Sequence, residues 1–173
     1  DDNGTSSGSA YIFVNNHNGS WSQQDKLLAS DAAAGDEFGY SVSIDGDYAV
    51  VGAHEADTGS VYIFVNNHNG SWSQQDKLLA SDGAYNDEFG NAVSISGDHA
   101  VVGAWKDDDN GTSSGSAYIF VNNHNGSWSQ QDKLTADDAY AEDRFGFSVS
   151  IDGDYAVVGG YKNDDNGTSS GSA

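Results

Sequence analysis

FGYSVSIDGDYAVVG, residues Phe38–Gly52, recurs as FGNAVSISGDHAVVG at Phe89–Gly103 and as FGFSVSIDGDYAVVG at Phe145–Gly159. Within it, Phe38, Tyr40, Val42 and Ile44 alternate with Gly39, Ser41 and Ser43, the period of two that a strand imposes. The small residues on the second face let a neighbouring sheet approach closely. Asp45-Gly46-Asp47 then makes a tight turn into Tyr48–Ala53, an almost wholly apolar run that reads as a strand buried on both faces.

A second block follows in every copy. YIFVNNHNGSWSQQDKL occupies Tyr11–Leu27, Tyr62–Leu78 and Tyr118–Leu134, spacings of 51 and 56 residues. The extra residues fall in one loop, where GAHEADTGS becomes GAWKDDDNGTSSGS. Val61–Asn66 reads as a third strand and Asn69-Gly70 as a hairpin tip. Trp72–Leu79, polar with a Trp at its start, reads as an outer fourth strand.

A repeated up-and-down unit of four strands and about 50 residues is the pattern of a propeller blade. The expected fold is therefore all-β: a β-propeller of four-stranded antiparallel blades, two complete and two half, about three blades' worth per chain. The expected divisions are a half-blade at 1–31, blades at 32–82 and 83–138, and a half-blade at 139–173. The opening DDNGTSSGSA recurs at Asp164–Ala173, so a second copy joined there continues in register; with no initiator Met, the chain reads as an excised or mature segment. Three blades do not close a ring, for which four to eight are usual. Two copies would supply six, either as two chains exchanging half-blades or as consecutive segments of one polypeptide, and a head-to-tail contact that fails to close would grow a filament.

Phe38-Gly39 opening the first strand and Gly52-Ala53-His54 closing the second resemble the FG-GAP repeat, the blade of integrin α-subunit propellers and of many bacterial and algal surface proteins. The resemblance extends through Phe89-Gly90 with Gly103-Ala104-Trp105 and Phe145-Gly146 with Gly159-Gly160-Tyr161. His54, Trp105 and Tyr161 replace the Pro of the family's name, and Gly160 replaces the final Ala. The resemblance implies a propeller module at the cell surface or in the extracellular space.

Composition narrows the partners. Asp and Glu total 27 against 6 Lys and Arg, a formal charge of −21, which repels phosphate backbones and anionic lipid and attracts cations, basic partners or neutral glycans. Nucleic acid and membrane insertion are not expected; no run approaches the roughly 18 apolar residues of a membrane span. Without cysteine there is neither a disulfide framework nor a thiolate metal site. Gly, Asn and Asp must make the turns, because proline is absent too.

The acidic clusters fall in the loops between second and third strands and between blades, which emerge on one face. No cofactor is required, but oxygen-rich loops could take Ca²⁺. Blades that resemble these bind it between first and second strands, a turn too short here. The nearest substitutes are Asp107, Asp108, Asp109 and Asn110, with Asp164, Asp165 and Asn166 in the next repeat; Lys106 and Lys162 sit at their first ligand positions and oppose binding. The alternative is that these side chains cap turns through their own backbone. Sequons at Asn3, Asn18, Asn69, Asn110, Asn125 and Asn166 lie at exposed turns where glycans could be carried. His17, His68 and His124 sit at hairpin tips as solvated residues, and Trp21, Trp72 and Trp128 serve as blade anchors or sugar platforms.

Near-identical blades repeat each group, which favours multivalent binding over one asymmetric catalytic pocket. Residues that break the repeat, among them His54, Glu55, Tyr85, His99, Trp105, Arg144 and Tyr161, are the candidates for a specific contact. The leading expectation is a structural or adhesive extracellular propeller whose partner is itself. A Ca²⁺-dependent or glycan-binding module, engaging an extracellular protein or glycan, is the alternative. A propeller glycosidase using paired carboxylates comes third.

Overall fold

The computed structural model describes residues 4–164 and 169–173. Twelve strands run in order: β1 (Ala10–Asn15), β2 (Trp21–Leu27), β3 (Ser41–Asp45), β4 (Tyr48–Ala53), β5 (Ser60–Asn66), β6 (Trp72–Leu78), β7 (Ala92–Ser96), β8 (His99–Ala104), β9 (Ser116–Asn122), β10 (Trp128–Leu134), β11 (Phe145–Asp152) and β12 (Tyr155–Gly160). Every named pairing is antiparallel. β3-β4-β5-β6 and β7-β8-β9-β10 form two complete four-stranded blades, flanked by the two-stranded sheets β1-β2 and β11-β12.

The hydrophobic core lies between sheets, in three layers. One packs Ile12 and Leu27 of the first half-blade against Ala49, Val51, Tyr62 and Phe64 of the first full blade. The next sets Val50, Ile63 and Leu78 against Val93, Ile95 and Val102. The third packs Val101 and Ala117 against Val158, with Val149 and Ile151 alongside. Because side chains alternate along a strand, Val50 and Val51 serve opposite layers, which is why β4 is apolar throughout. Each fully buried Val, Leu or Ile contributes roughly 1.5–3 kcal/mol.

Sheets come close where the second strand ends. A Cβ on Gly52 would lie 2.1 Å from the Gly90 carbonyl oxygen, and one on Gly103 1.9 Å from that of Gly146. Ser41 Oγ donates to the Gly90 carbonyl at 2.7 Å, so the small face of the first strand serves the close approach its composition suggested.

The first strand corrects one expectation. It begins at Ser41 and at Ala92 rather than at Phe38 and Phe89, with Gly39 (φ 96°) and Gly90 (φ 93°) turning the backbone between; β11, with Gly146 at φ 86°, does start at Phe145, and its register shifts between Phe145 and Ser148. Phe38 therefore leaves the Tyr40-Val42-Ile44 face and packs edge-on against Tyr62 and Phe64. Its amide donates to the Ser7 carbonyl and that of Phe145 to Ser114, tying each corner to the loop of the preceding sheet.

Candidate functional site

Three residues immediately before the Phe-Gly corners, Glu37 (φ 56°), Glu88 (φ 62°) and Arg144 (φ 59°), occupy the left-handed region. Three residues immediately after the second strands, His54, Trp105 and Tyr161, meet them. Repetition of the backbone thus brings these side chains into one line of contacts, in the order Glu37, His54, Glu88, Lys106, Trp105, Arg144 and Tyr161.

At one end, His54 is buried and its ring meets that of Tyr40 at a tilt of 54°, ring centroids 3.9 Å apart. Its Nε2 lies 3.2 Å from Glu37 Oε2 and its Nδ1 2.5 Å from Glu88 Oε2. Lys106 Nζ donates to the other oxygen of buried Glu88 at 2.5 Å and lies 4.8 Å from the Trp105 ring centroid. The Arg144 guanidinium covers the same ring at 4.5 Å and donates to Tyr161 Oη at 2.6 Å. Phe147 closes the aromatic cluster, 6.0 Å from Trp105 and 4.5 Å from Tyr161. Ligand atoms of His54, Glu55 and Glu88 fall within 4.8 Å of one another, a set that could hold a divalent ion. The Lys106 ammonium already shares the Glu88 carboxylate, which weakens that fit.

Of the expected contact residues, His54, Glu55, Trp105, Arg144 and Tyr161 gather here. His99 starts β8, at the strand end away from Trp105. Tyr85 stands alone in the loop between blades, 86 % exposed. Glu37, Glu88, Lys106 and Phe147 belong to the line but were not among the expected contact residues; the signal was available, since each differs from its counterpart in another repeat.

The second polar centre involves the expected metal ligands. Lys133 Nζ, at the end of the outer strand β10, donates to Asp82 Oδ2 at 2.7 Å, Asp107 Oδ2 at 3.0 Å and Asp109 Oδ2 at 2.6 Å. Tyr118 Oη bonds both Asp82 and Asp107 at 3.0 Å. Burial disfavours the Lys133 charge, but bonds to Asp109, Asp82, Tyr118 and Asp107 outweigh it and hold the ammonium well above the usual lysine pKa. Burial likewise drives Tyr118 upward. Asp82 resists burial through Lys133 and Tyr118, and ends below the usual carboxylate value. A simpler copy joins Lys77 to Asp31 at 2.7 Å, with Tyr62 pushed up to about 12 by burial and Asp31.

Asp107 and Asp109 thus converge on an ammonium that the chain itself supplies. Asp108 Oδ1 instead caps the Ser113 amide at 2.6 Å, Asp164 caps that of Ser169, and the Asn110 amide donates to Ser114 Oγ. Asp165, Asn166 and Asn3 lie outside the described residues. Asn18, Asn69 and Asn125 are exposed at hairpin tips, each Oδ1 accepting from the amide and hydroxyl of Ser20, Ser71 and Ser127. His68 and His124 beside them are exposed, near Asp47 and Asp98. Trp72 and Trp128 fasten blades together: the Trp128 amide donates to Asp76 and its indole to Gln75, while the Tyr48 ring meets it edge-on at 5.7 Å.

No curated protein matches the chain. A model of the FG-GAP repeat matches residues 21–64, 72–120 and 128–173, each match running from one sheet's outer strand into the next sheet. This family is generally non-enzymatic and typically occurs in extracellular or surface proteins. With three successive matches covering most of its length and four antiparallel sheets in blade order, the chain belongs to the FG-GAP repeat family of β-propeller modules.

Proposed function

We propose that the chain is a structural and adhesive propeller module of the cell surface or extracellular space, which assembles with copies of itself through its half-blades. One observation carries this: the apolar faces buried between the complete blades are open beside both half-blades, on β3 at one end and at Val157 of β12 at the other. Val42 and Ile44 are 61 % and 57 % exposed, whereas their counterparts Val93 and Ile95 are buried. Exposed apolar surface of this extent on a highly charged protein marks an interaction face. The charge of −21 keeps such assemblies soluble and disfavours anionic partners. Multi-angle light scattering on the isolated 173-residue chain tests the proposal. A particle of two or more chains is expected; a compact, folded monomer refutes it.

A second reading, a glycan- or cation-dependent binding module, draws on the convergence of His54, Trp105, Arg144 and Tyr161 on one line. Glycan-array binding that chelator abolishes and Trp105→Ala removes would establish it. Binding unaffected by either would exclude that line as the site.

A further inference from the structure

Resting on the self-assembly reading above, we propose that β12 of one copy pairs antiparallel with β1 of a second copy, in the register the chain uses inside its own blades, and that Lys26 of the second copy enters the acidic pocket beside Asp138. Inside the complete blades, Tyr48, Ala49 and Val50 face Val65, Phe64 and Ile63, and His99, Ala100 and Val101 face Val121, Phe120 and Ile119. Tyr155, Ala156 and Val157 are the corresponding residues of β12, and Val14, Phe13 and Ile12 those of β1. The same register therefore sets Tyr155 opposite Val14 and Val157 opposite Ile12. A slip of one residue would exchange the two faces, setting Tyr11 and Phe13 where Ile12 and Val14 belong.

Three surfaces fit this pairing. An apolar groove lined by Ile12, Leu27, Val42, Ile44 and Val51 runs beside β1. Val157 is 54 % exposed, while its counterparts Val50 and Val101 are fully buried in the equivalent place. Trp21 is 65 % exposed, while Trp128 is buried. A second pocket, bordered by His99, Gln131 and Tyr155, offers Trp21 the counterparts of the Tyr48 and Gln75 that hold Trp128.

Charge supplies the third match. Asp138, Asp143, Asn163 and Asp164 line a pocket in which Asp138 stands where Asp82 receives Lys133 and Tyr118, and Asn163 stands where Asp107 does. Lys26 and Tyr11 are the counterparts of that pair and share its arrangement, the ammonium 5.7 Å from the ring centroid against 5.2 Å. Strand pairing carries both to Asp138.

Because the chain has no cysteine, a pair introduced as Val14→Cys with Tyr155→Cys reports the register directly. Mild oxidation should give covalent dimers or a ladder of larger species on a non-reducing gel, and Phe13→Cys with Tyr155→Cys should not link. Independently, Lys26→Glu should weaken association at least tenfold, and Lys26→Glu with Asp138→Lys should restore it. Equal linking of both cysteine pairs, or no rescue by the charge exchange, overturns the proposed pairing. If the parent chain still forms particles larger than one chain, self-assembly survives and only this register fails. A monomeric parent sinks both.

Discussion

Replacing Lys133 by Met removes a cation from three carboxylates while keeping the length and apolar volume of its stem. Of the three, Asp107 decides the magnitude: its side chain is 4 % exposed, against 45 % and 54 % for Asp82 and Asp109, so water cannot take the place of the ammonium there. Breaking a buried pair by removing one partner costs about 3–5 kcal/mol, and the two exposed carboxylates add little to that. At about 2–4 °C per kcal/mol for a chain of this length, Lys133→Met should melt roughly 10 °C below the parent in calorimetry at neutral pH and without divalent ions. The same variant leaves three carboxylates converging on a space with no cation. Calcium prefers oxygen at about 2.3–2.6 Å, a few tenths of an ångström closer than the present N–O distances of 2.6–3.0 Å, so a small contraction suffices. With a Kd of about 0.1 mM, adding about 10 mM CaCl₂ should return some 2.7 kcal/mol to the variant. The parent, whose ammonium fills the place, should gain far less. A variant that melts within about 2 °C of the parent would refute the assignment of this stabilisation to Lys133, since even 1 kcal/mol would move it further.

Gly103→Ala should be far more damaging than Gly97→Ala, although both sit in the same repeat. The first puts a Cβ 1.9 Å from the Gly146 carbonyl oxygen and forces two blades apart; the second meets nothing within 4 Å and strains only a left-handed turn at φ 55°. Circular dichroism melts should show about 1 kcal/mol for Gly97→Ala and about 3 kcal/mol or more for Gly103→Ala; comparable losses would mean the blades do not approach this closely. Acid should destabilise the fold in a defined window. Asp31 and Asp82 lie below the usual carboxylate pKa in the folded chain, so their contribution is fully present above about pH 4 and is lost as pH falls through their lower folded values. Asp87, raised by burial, acts in the opposite sense. A Lys77→Met, Lys133→Met double variant should lose less stability than the parent between pH 5 and pH 2, and parallel curves would contradict the ion-pair account.

Sequence was most informative where one residue type performs one local task. Tyr48–Ala53 read as a strand buried on both faces because no side chain in its centre is polar, and β4 and β8 behave so. The same Ala-Val-Val-Gly in β12 does not, since burial of Val157 requires a neighbouring strand. Trp21 and Trp128 are likewise identical in local sequence and opposite in exposure. In the loops, Asp107, Asp108 and Asp109 looked equivalent; the fold sends two to Lys133 and one to its own backbone. Lys133 itself was easy to overlook, being the same in every repeat, yet with only six Lys and Arg against 27 acids each cation is informative.

By itself the sequence determined the repeat, its strand order and its turns, because alternation, Gly-containing turns and near-identical spacing act over a few residues. Only the tertiary structure decided which copies of a residue are buried, which carboxylates meet an ammonium, and that His54, Trp105, Arg144 and Tyr161 share a line. These depend on distances between sheets, which the backbone corners at Phe38, Phe89 and Phe145 set and which no local pattern encodes.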